Sequence, residues 1–195
     1  MQHTIQQELK GVLGFVAVLW AAFALDFVVP VDFLAYGVTP RTWSGLVGIP
    51  LMPFLHASWQ HLVSNTVPLI VLLVLLAGSK ARSWEVVAEI IVLAGILLWL
   101  FGRPATHIGA SGLVFGLIAF LIVSGWRERR FVPLIISVVV TFLYGGSFLL
   151  GVIPRMGSPI SWEGHLLGGV AGGIIAWCLT GTAQPRKIIG SSVES

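Results

Sequence analysis

The sequence has few charged residues. Aspartate, glutamate, lysine and arginine together make up 10% of the 195 residues, whereas hydrophobic residues make up 56%. A soluble domain is about one quarter charged, so the composition excludes an ordinary water-soluble protein and predicts that most of the chain lies in a lipid bilayer. The net charge of +3 comes from basic residues spread over several short polar segments, a pattern that does not indicate a nucleic-acid partner.

Cysteine and the usual metal-binding patterns are also scarce. The single cysteine, Cys178, excludes an intramolecular disulfide framework. Three histidines, His56, His61 and His165, could in principle gather a zinc ion. The sequence lacks the His-Glu-x-x-His pattern of zinc hydrolases, so we predict no metal and no other cofactor.

Six apolar runs approach the length of a membrane span, roughly 20 residues. They lie near residues 12–29, 61–77, 86–101, 112–125, 132–150 and 164–179. The fourth run is short, so protein or a water-filled cavity must shield its end from lipid. We predict an all-α, polytopic membrane protein with six transmembrane helices, one domain over residues 1–180 and a short cytoplasmic tail over residues 181–195.

The basic residues predict how the helices are oriented, because cytoplasmic loops are enriched in lysine and arginine. The residues expected on the cytoplasmic side are Lys10, Lys80, Arg82, Arg127, Arg129, Arg130, Arg186 and Lys187. Arg41, Arg103 and Arg155 fall on the opposite side, and both termini then face the cytoplasm. The segment 30–56 combines prolines with apolar residues and is predicted to be an interfacial loop.

A serine and a histidine occupy positions where lipid is expected. Ser111 lies at the head of the fourth run and His165 at the head of the sixth. Polar groups are costly inside a bilayer and are candidates for function, and serine with histidine is the minimal pair for nucleophilic acyl transfer. Taken separately, a Gly-x-Ser-Gly segment can serve helix packing, and a buried histidine can be a structural hydrogen-bonding group.

Glycines beside both residues predict close helix contact. Small residues four apart let a neighbouring helix approach, and residues three, four and seven positions apart share a helix face. If the helix of Ser111 packs on the glycine face beside His165, the histidine can reach the serine as its general base. The glycines concerned are Gly112, Gly116, Gly168 and Gly172.

A third polar cluster lies at the head of the second run. His61 and Asn65 are four residues apart and project from one helix face. The Asn65 amide can donate a hydrogen bond to an oxyanion, a contribution worth about 100- to 1,000-fold in rate. The alternative is that Asn65 only joins two helices by a hydrogen bond.

Together these motifs resemble the rhomboid family of intramembrane serine proteases. The motifs are His56, His61 and Asn65 on the second helix, Gly109 to Gly112 opening the fourth, and His165, Gly168 and Gly172 on the sixth. The resemblance implies a six-helix rhomboid-type bundle. It also implies transmembrane proteins as substrates, cut in or near their membrane-spanning segments.

The resemblance further implies a role for each residue. Ser111 is the nucleophile and His165 the base, and Asn65, His61 and the Ser111 backbone N–H form the oxyanion hole. The residues expected to line the site are His56, Gly109 and Phe115. Because no acidic residue is placed to orient the histidine, we expect a Ser-His dyad instead of a triad.

The sequence departs from the family pattern at two points. Many members carry a Trp-Arg pair in the first loop, whereas here Ser44 follows Trp43 and Arg41 precedes it by two residues. Many have a tyrosine four residues after the serine, and here that residue is Phe115. The aromatic ring can still stack on the histidine, so we expect activity to be tuned and not lost.

The alternative function is a non-catalytic, rhomboid-like protein that binds membrane helices. Such a binder has no need for three costly polar side chains in lipid, so the presence of Ser111, His165 and Asn65 favours the enzyme. A transporter is disfavoured because the polar residues cluster at one face. The compact six-helix core predicts the bacterial inner (plasma) membrane as the location.

Overall fold

The computed structural model describes residues 5–80, 82–154 and 160–181. Within these ranges the α-helices are α1 (Ile5–Val28), α2 (Gly48–Leu51), α3 (Trp59–Ser79), α4 (Ser83–Phe101), α5 (Ser111–Glu128), α6 (Phe131–Gly151) and α7 (Trp162–Leu179). Single 3₁₀ turns lie at Phe33–Tyr36, Ser44–Leu46 and Met52–Phe54. The β pairing in the described part of the chain is one isolated antiparallel bridge, between Val38 and His107.

Five of the six long helices are long and apolar enough to cross a membrane. The exception is α7, whose first turn carries Glu163 and His165 and whose middle is rich in glycine. Helix α5 extends to Glu128 and, like α7, has 18 residues, which makes these two the shortest of the six. The all-α, multi-pass membrane architecture is confirmed, whereas the count of six spans stays a prediction.

The six long helices alternate in direction. The start of one helix and the end of the next therefore lie at the same end of the bundle. At one end Ser83, which begins α4, donates a 2.7 Å hydrogen bond to Glu8 near the start of α1. At the same end Lys80 after α3 pairs with Glu128 at the close of α5. This end, called the basic end below, carries Lys10, Lys80, Arg82, Arg127, Arg129 and Arg130. Arg155, Arg186, Lys187 and the predicted tail beyond Gly181 lie outside the described residues.

Helix α5 is the centre of the bundle and contacts α3, α4, α6 and α7. It is apolar nearly all round, as expected for a helix enclosed by others, and Leu113, Leu117 and Phe120 are fully buried. Helix α6 is peripheral, and Phe142 on its outer face is 88% exposed. The protein therefore shields the serine-bearing helix from lipid on most sides.

Glycines bring α5 and α7 into backbone contact. A Cβ added at Gly168 would lie 2.8 Å from the carbonyl carbon of Gly112, and one at Gly172 would lie 2.6 Å from that of Gly116. Real side chains do not fit at such distances, so glycine is required at both α7 positions. The two helix N-termini, which carry Ser111 and His165, are thereby held side by side.

The segment between α1 and α3 packs one side on the bundle and exposes the other. Val38 and Met52 are buried, whereas Trp43 is 86% exposed, as expected for an interfacial loop. Arg41 anchors the segment by donating hydrogen bonds to the carbonyls of Leu100 and Gly102, at 3.0 and 2.9 Å. These carbonyls end α4 and have no partner within the helix.

Candidate active site

Ser111 is the first residue of α5, and the chain turns sharply to place it there. Gly109 has φ +105°, a left-handed conformation that favours glycine, and its N–H donates a 2.9 Å hydrogen bond to the Met52 carbonyl. The serine therefore stands at a fixed helix N-terminus, where backbone N–H groups lack partners within the helix and favour negative charge. It lies at the end of the bundle opposite the basic end.

His165 lies in the first turn of α7, beside Ser111. The Gly112 Cα faces the Gly164 carbonyl, and an added Cβ would lie 3.3 Å from that oxygen. The ring of Phe115 stacks on the His165 imidazole, with centroids 4.1 Å apart and planes 6° from parallel. Because Ser111 precedes Phe115 by one turn, both residues share the α5 face that meets His165.

The backbone carbonyl of Gly151 fixes the orientation of His165. The Nδ1 atom of His165 lies 3.0 Å from this oxygen, which ends α6 and has no partner within its helix. A carbonyl only accepts hydrogen bonds, so Nδ1 carries the proton and Nε2 keeps a free lone pair. A neutral imidazole with Nε2 unprotonated is the form that a general base needs.

No hydrogen bond joins Ser111 Oγ to any other residue that the structure describes. The serine and the histidine are both half-buried. Catalytic hydrogen bonds are often long or misaligned without substrate and tighten when it binds. The arrangement therefore places a serine hydroxyl beside an imidazole whose Nε2 is free to accept a proton.

His61 and Asn65 pack against Gly109, in the loop just before Ser111. A Cβ added at Gly109 would lie 2.5 Å from His61 Nε2 and 3.7 Å from Asn65 Nδ2. One N–H of the Asn65 amide donates to the His61 carbonyl at 3.0 Å, which leaves the second N–H for a ligand. These two side chains therefore lie against Gly109, in the turn that leads into Ser111 and the N-terminus of α5.

His56 lies next to His61, just before the start of α3, and its role in lining the site stays a prediction. Its ring is 5.0 Å from that of His61, it is 2% exposed, and neither of its nitrogens has a hydrogen-bond partner among the described residues. Burial, followed by the charge of His61, lowers the pKa of His56 to about 4, and the nearby Phe54 carbonyl offsets only part of this effect. His56 is therefore neutral and supports His61 by packing.

Two groups that shape the site were not predicted from the sequence. The Gly151 carbonyl orients His165, but a backbone oxygen leaves no trace in a residue pattern. Arg41 anchors the first loop although no arginine follows Trp43. Within the described ranges, no group of three or more histidine, cysteine, aspartate or glutamate residues is arranged to hold a metal ion.

Comparison with known proteins decides the family. The model of the Rhomboid domain matches residues 41–182, a range that contains every residue of the candidate site. The chain belongs to the rhomboid family. Rhomboids are typically intramembrane serine proteases, although the family also contains pseudoproteases.

Mycobacterial proteins are similar along most of the chain. Uncharacterized proteins of Mycobacterium tuberculosis and Mycobacterium bovis are each 42% identical over 186 residues, covering 90% of this chain and 76% of the relative. An uncharacterized protein of Mycobacterium leprae is 41% identical over 186 residues, with 90% and 72% coverage. This rhomboid is thus a multi-pass membrane protein with bacterial relatives.

Proposed function

We propose that the protein is an intramembrane serine endopeptidase that uses a Ser111–His165 dyad. The observation that carries this proposal is the state of His165, which is stacked on Phe115 and held by the Gly151 carbonyl with Nε2 unprotonated. In Ser-His-Asp enzymes a carboxylate holds the base in this tautomer. Here a backbone carbonyl takes that part, which explains how a dyad works without an acid.

The reaction follows from these positions. Ser111 Oγ attacks the carbonyl carbon of the scissile peptide bond while His165 Nε2 takes the hydroxyl proton. The C–N bond then breaks, and His165 returns the proton to the leaving amine, which leaves an acyl-enzyme at Ser111. A water molecule, deprotonated by the same Nε2, attacks the acyl carbon, and release of the acid regenerates the serine.

The oxyanion of the tetrahedral intermediate needs donors that are fixed in advance. The proposal assigns this role to the free N–H of Asn65, to His61 and to the Ser111 backbone N–H. The approach of His61 and Asn65 to Gly109 supports the assignment. The N-terminus of α5 favours the same negative charge.

Transmembrane proteins are the substrates that this site suits. The serine and the histidine lie near one end of an apolar bundle, with exposed Trp43 and Trp59 nearby and exposed Trp126 and Trp177 towards the basic end, as expected for two interfacial belts. We place the basic end and both termini in the cytoplasm, α7 across the bilayer as the sixth span, and the protein in the bacterial plasma membrane.

A fluorescent fluorophosphonate tests the proposal, because it reacts only with an activated serine. We expect labelling of the detergent-purified protein and cleavage of a reporter that contains a transmembrane segment. Ser111→Ala and His165→Ala should abolish both. If a folded wild type is neither labelled nor active, the protein is instead a non-catalytic binder of membrane helices.

A further inference from the structure

We propose that His107 and Ser161 form a positioning pair that holds the N-termini of α5 and α7 together and so sets the spacing between Ser111 and His165. The inference rests on the proposed function and concerns residues outside the family motifs named above. His107 precedes Ser111 by four residues and Ser161 precedes His165 by four. The pair therefore joins the two segments that lead into Ser111 and His165.

The donor and the acceptor of each hydrogen bond in the pair follow from the chemistry of its partner groups. His107 Nε2 lies 3.1 Å from the Arg103 carbonyl, which only accepts, so Nε2 carries the proton. His107 Nδ1 is then an acceptor, and the Ser161 hydroxyl donates to it at 2.7 Å. The same hydroxyl oxygen accepts the Gly164 N–H at 3.1 Å and caps α7.

His107 is buried, Ser161 is half-buried, and the pair is tied to a third element. His107 is 3% exposed, and burial lowers its pKa, with Arg103 acting in the same direction while Glu163 and the Arg103 carbonyl oppose the change. The backbone of His107 exchanges two hydrogen bonds with Val38 in the first loop, at 2.9 and 2.8 Å. The backbone of His107 thus joins the first loop, and its neutral imidazole joins the chain before α5 to the cap of α7.

The charged groups beside the pair reinforce the same connection. Arg103, which supplies the carbonyl for His107, donates to the Ile160 carbonyl at 3.2 Å and lies 3.6 Å from the carboxylate of Glu163. Glu163 is 6% exposed and stands in the first turn of α7, two residues before His165. Breaking the His107–Ser161 bond loosens a network that spans both helix starts, and a displacement of about 1 Å at reacting groups costs about 100-fold in rate.

Four variants test the pair, with fluorophosphonate labelling rate and reporter kcat as readouts. Ser161→Ala removes both the donor to His107 and the cap of α7, whereas Ser161→Thr keeps the hydroxyl. His107→Asn places an amide oxygen near the position of Nδ1, where it can accept from Ser161. His107→Gln places its amide near the position of Nε2 and leaves Ser161 without an acceptor. We expect Ser161→Ala and His107→Gln to lower the labelling rate and kcat by about 10- to 100-fold with KM nearly unchanged, and Ser161→Thr and His107→Asn to retain most activity.

Ser83→Ala is the matched control. It removes a buried hydrogen bond of the same 2.7 Å length, from Ser83 to Glu8, at the basic end of the bundle. A comparable drop in melting temperature for Ser83→Ala and Ser161→Ala, with labelling slowed only in Ser161→Ala, supports positioning. Equal labelling rates in the two variants would show that the bond is merely structural and overturn the inference.

Two further outcomes separate this inference from the proposed function. If wild type is labelled but Ser161→Ala reacts at the wild-type rate, the function stands and the positioning pair fails. If wild type is not labelled at all, both fail. Should the variants fold poorly, ¹⁵N spectra of His107 in the wild type decide, because a protonated Nδ1 would contradict the hydrogen-bond assignment on which the pair depends.

Discussion

Replacing Gly168 by alanine directly tests whether backbone contact between α5 and α7 sets the geometry of the site. The new Cβ would lie 2.8 Å from the carbonyl carbon of Gly112 and 3.0 Å from its Cα, and it would be closer still to the carbonyl oxygen. Ordinary contact begins near 3.4 Å. The obstructing atoms are backbone, so no side chain can rotate away and the helices themselves must separate.

The separation has to be about 1 Å, and Gly112 is the neighbour of Ser111. A misplacement of that size costs about 100-fold in rate, so we expect Gly168→Ala to lower the labelling rate and reporter cleavage by about that factor. Overpacking a tight contact also destabilises by about 1–3 kcal/mol. The loss of activity should therefore exceed what the loss of folded protein explains.

Gly173→Ala is the control, because it lies on the same helix and an added Cβ meets nothing within 4 Å there. Both variants should be purified in detergent, checked by thermal unfolding, and compared at equal amounts of folded protein. Wild-type activity is expected for Gly173→Ala. If folded Gly168→Ala is as active as this control, close backbone contact does not control the spacing of Ser111 and His165.

Three other perturbations have defined outcomes. Asn65→Ala should lower kcat by about 100- to 1,000-fold at unchanged protein level, and an unchanged rate would make Asn65 only a link between helices. The free energy of unfolding should decrease as pH drops from about 6.5 towards 4, because His56 takes up a proton in the unfolded chain but not when buried in the folded protein. His56→Gln should remove up to about 3 kcal/mol of this pH dependence. Identical pH profiles for the variant and the wild type would contradict the low pKa of His56. In a Cys178→Ser background, an impermeant thiol reagent applied to intact cells should label Trp43→Cys and not Arg129→Cys, and the reverse pattern would invert the proposed orientation.

The membrane architecture could be predicted because it depends on apolar length alone. The runs predicted near 61–77 and 132–150 correspond to α3 and α6, which begin and end within two residues of those limits. The end of α5 was placed three residues early, because Trp126, Arg127 and Glu128 look like a polar turn and not a helix. Lys80, which pairs with Glu128, stabilises that last turn from a distant part of the sequence.

The candidate site was only partly predictable. Side chains in a helical pattern predict a shared face, whereas the stack of Phe115 on His165 was expected from the resemblance to the rhomboid family. The carbonyl of Gly151 and the pair of His107 with Ser161 depend on which helix ends meet in space, which spacing along the chain does not determine. The catalytic roles themselves stay predictions until the serine is shown to react.

The carbonyl that holds His165 has a genetic consequence. Every residue has a backbone carbonyl oxygen, whatever its side chain. No substitution at position 151 can therefore delete the oxygen that orients His165. Saturation mutagenesis would identify Ser111 and His165 at once if they act as proposed, but it would reveal the carbonyl that orients His165 only through side chains added nearby. Its signature would be loss of function at Gly151, because a Cβ added there would lie 3.3 Å from His165 Nδ1 and 2.8 Å from Phe115 Cε1.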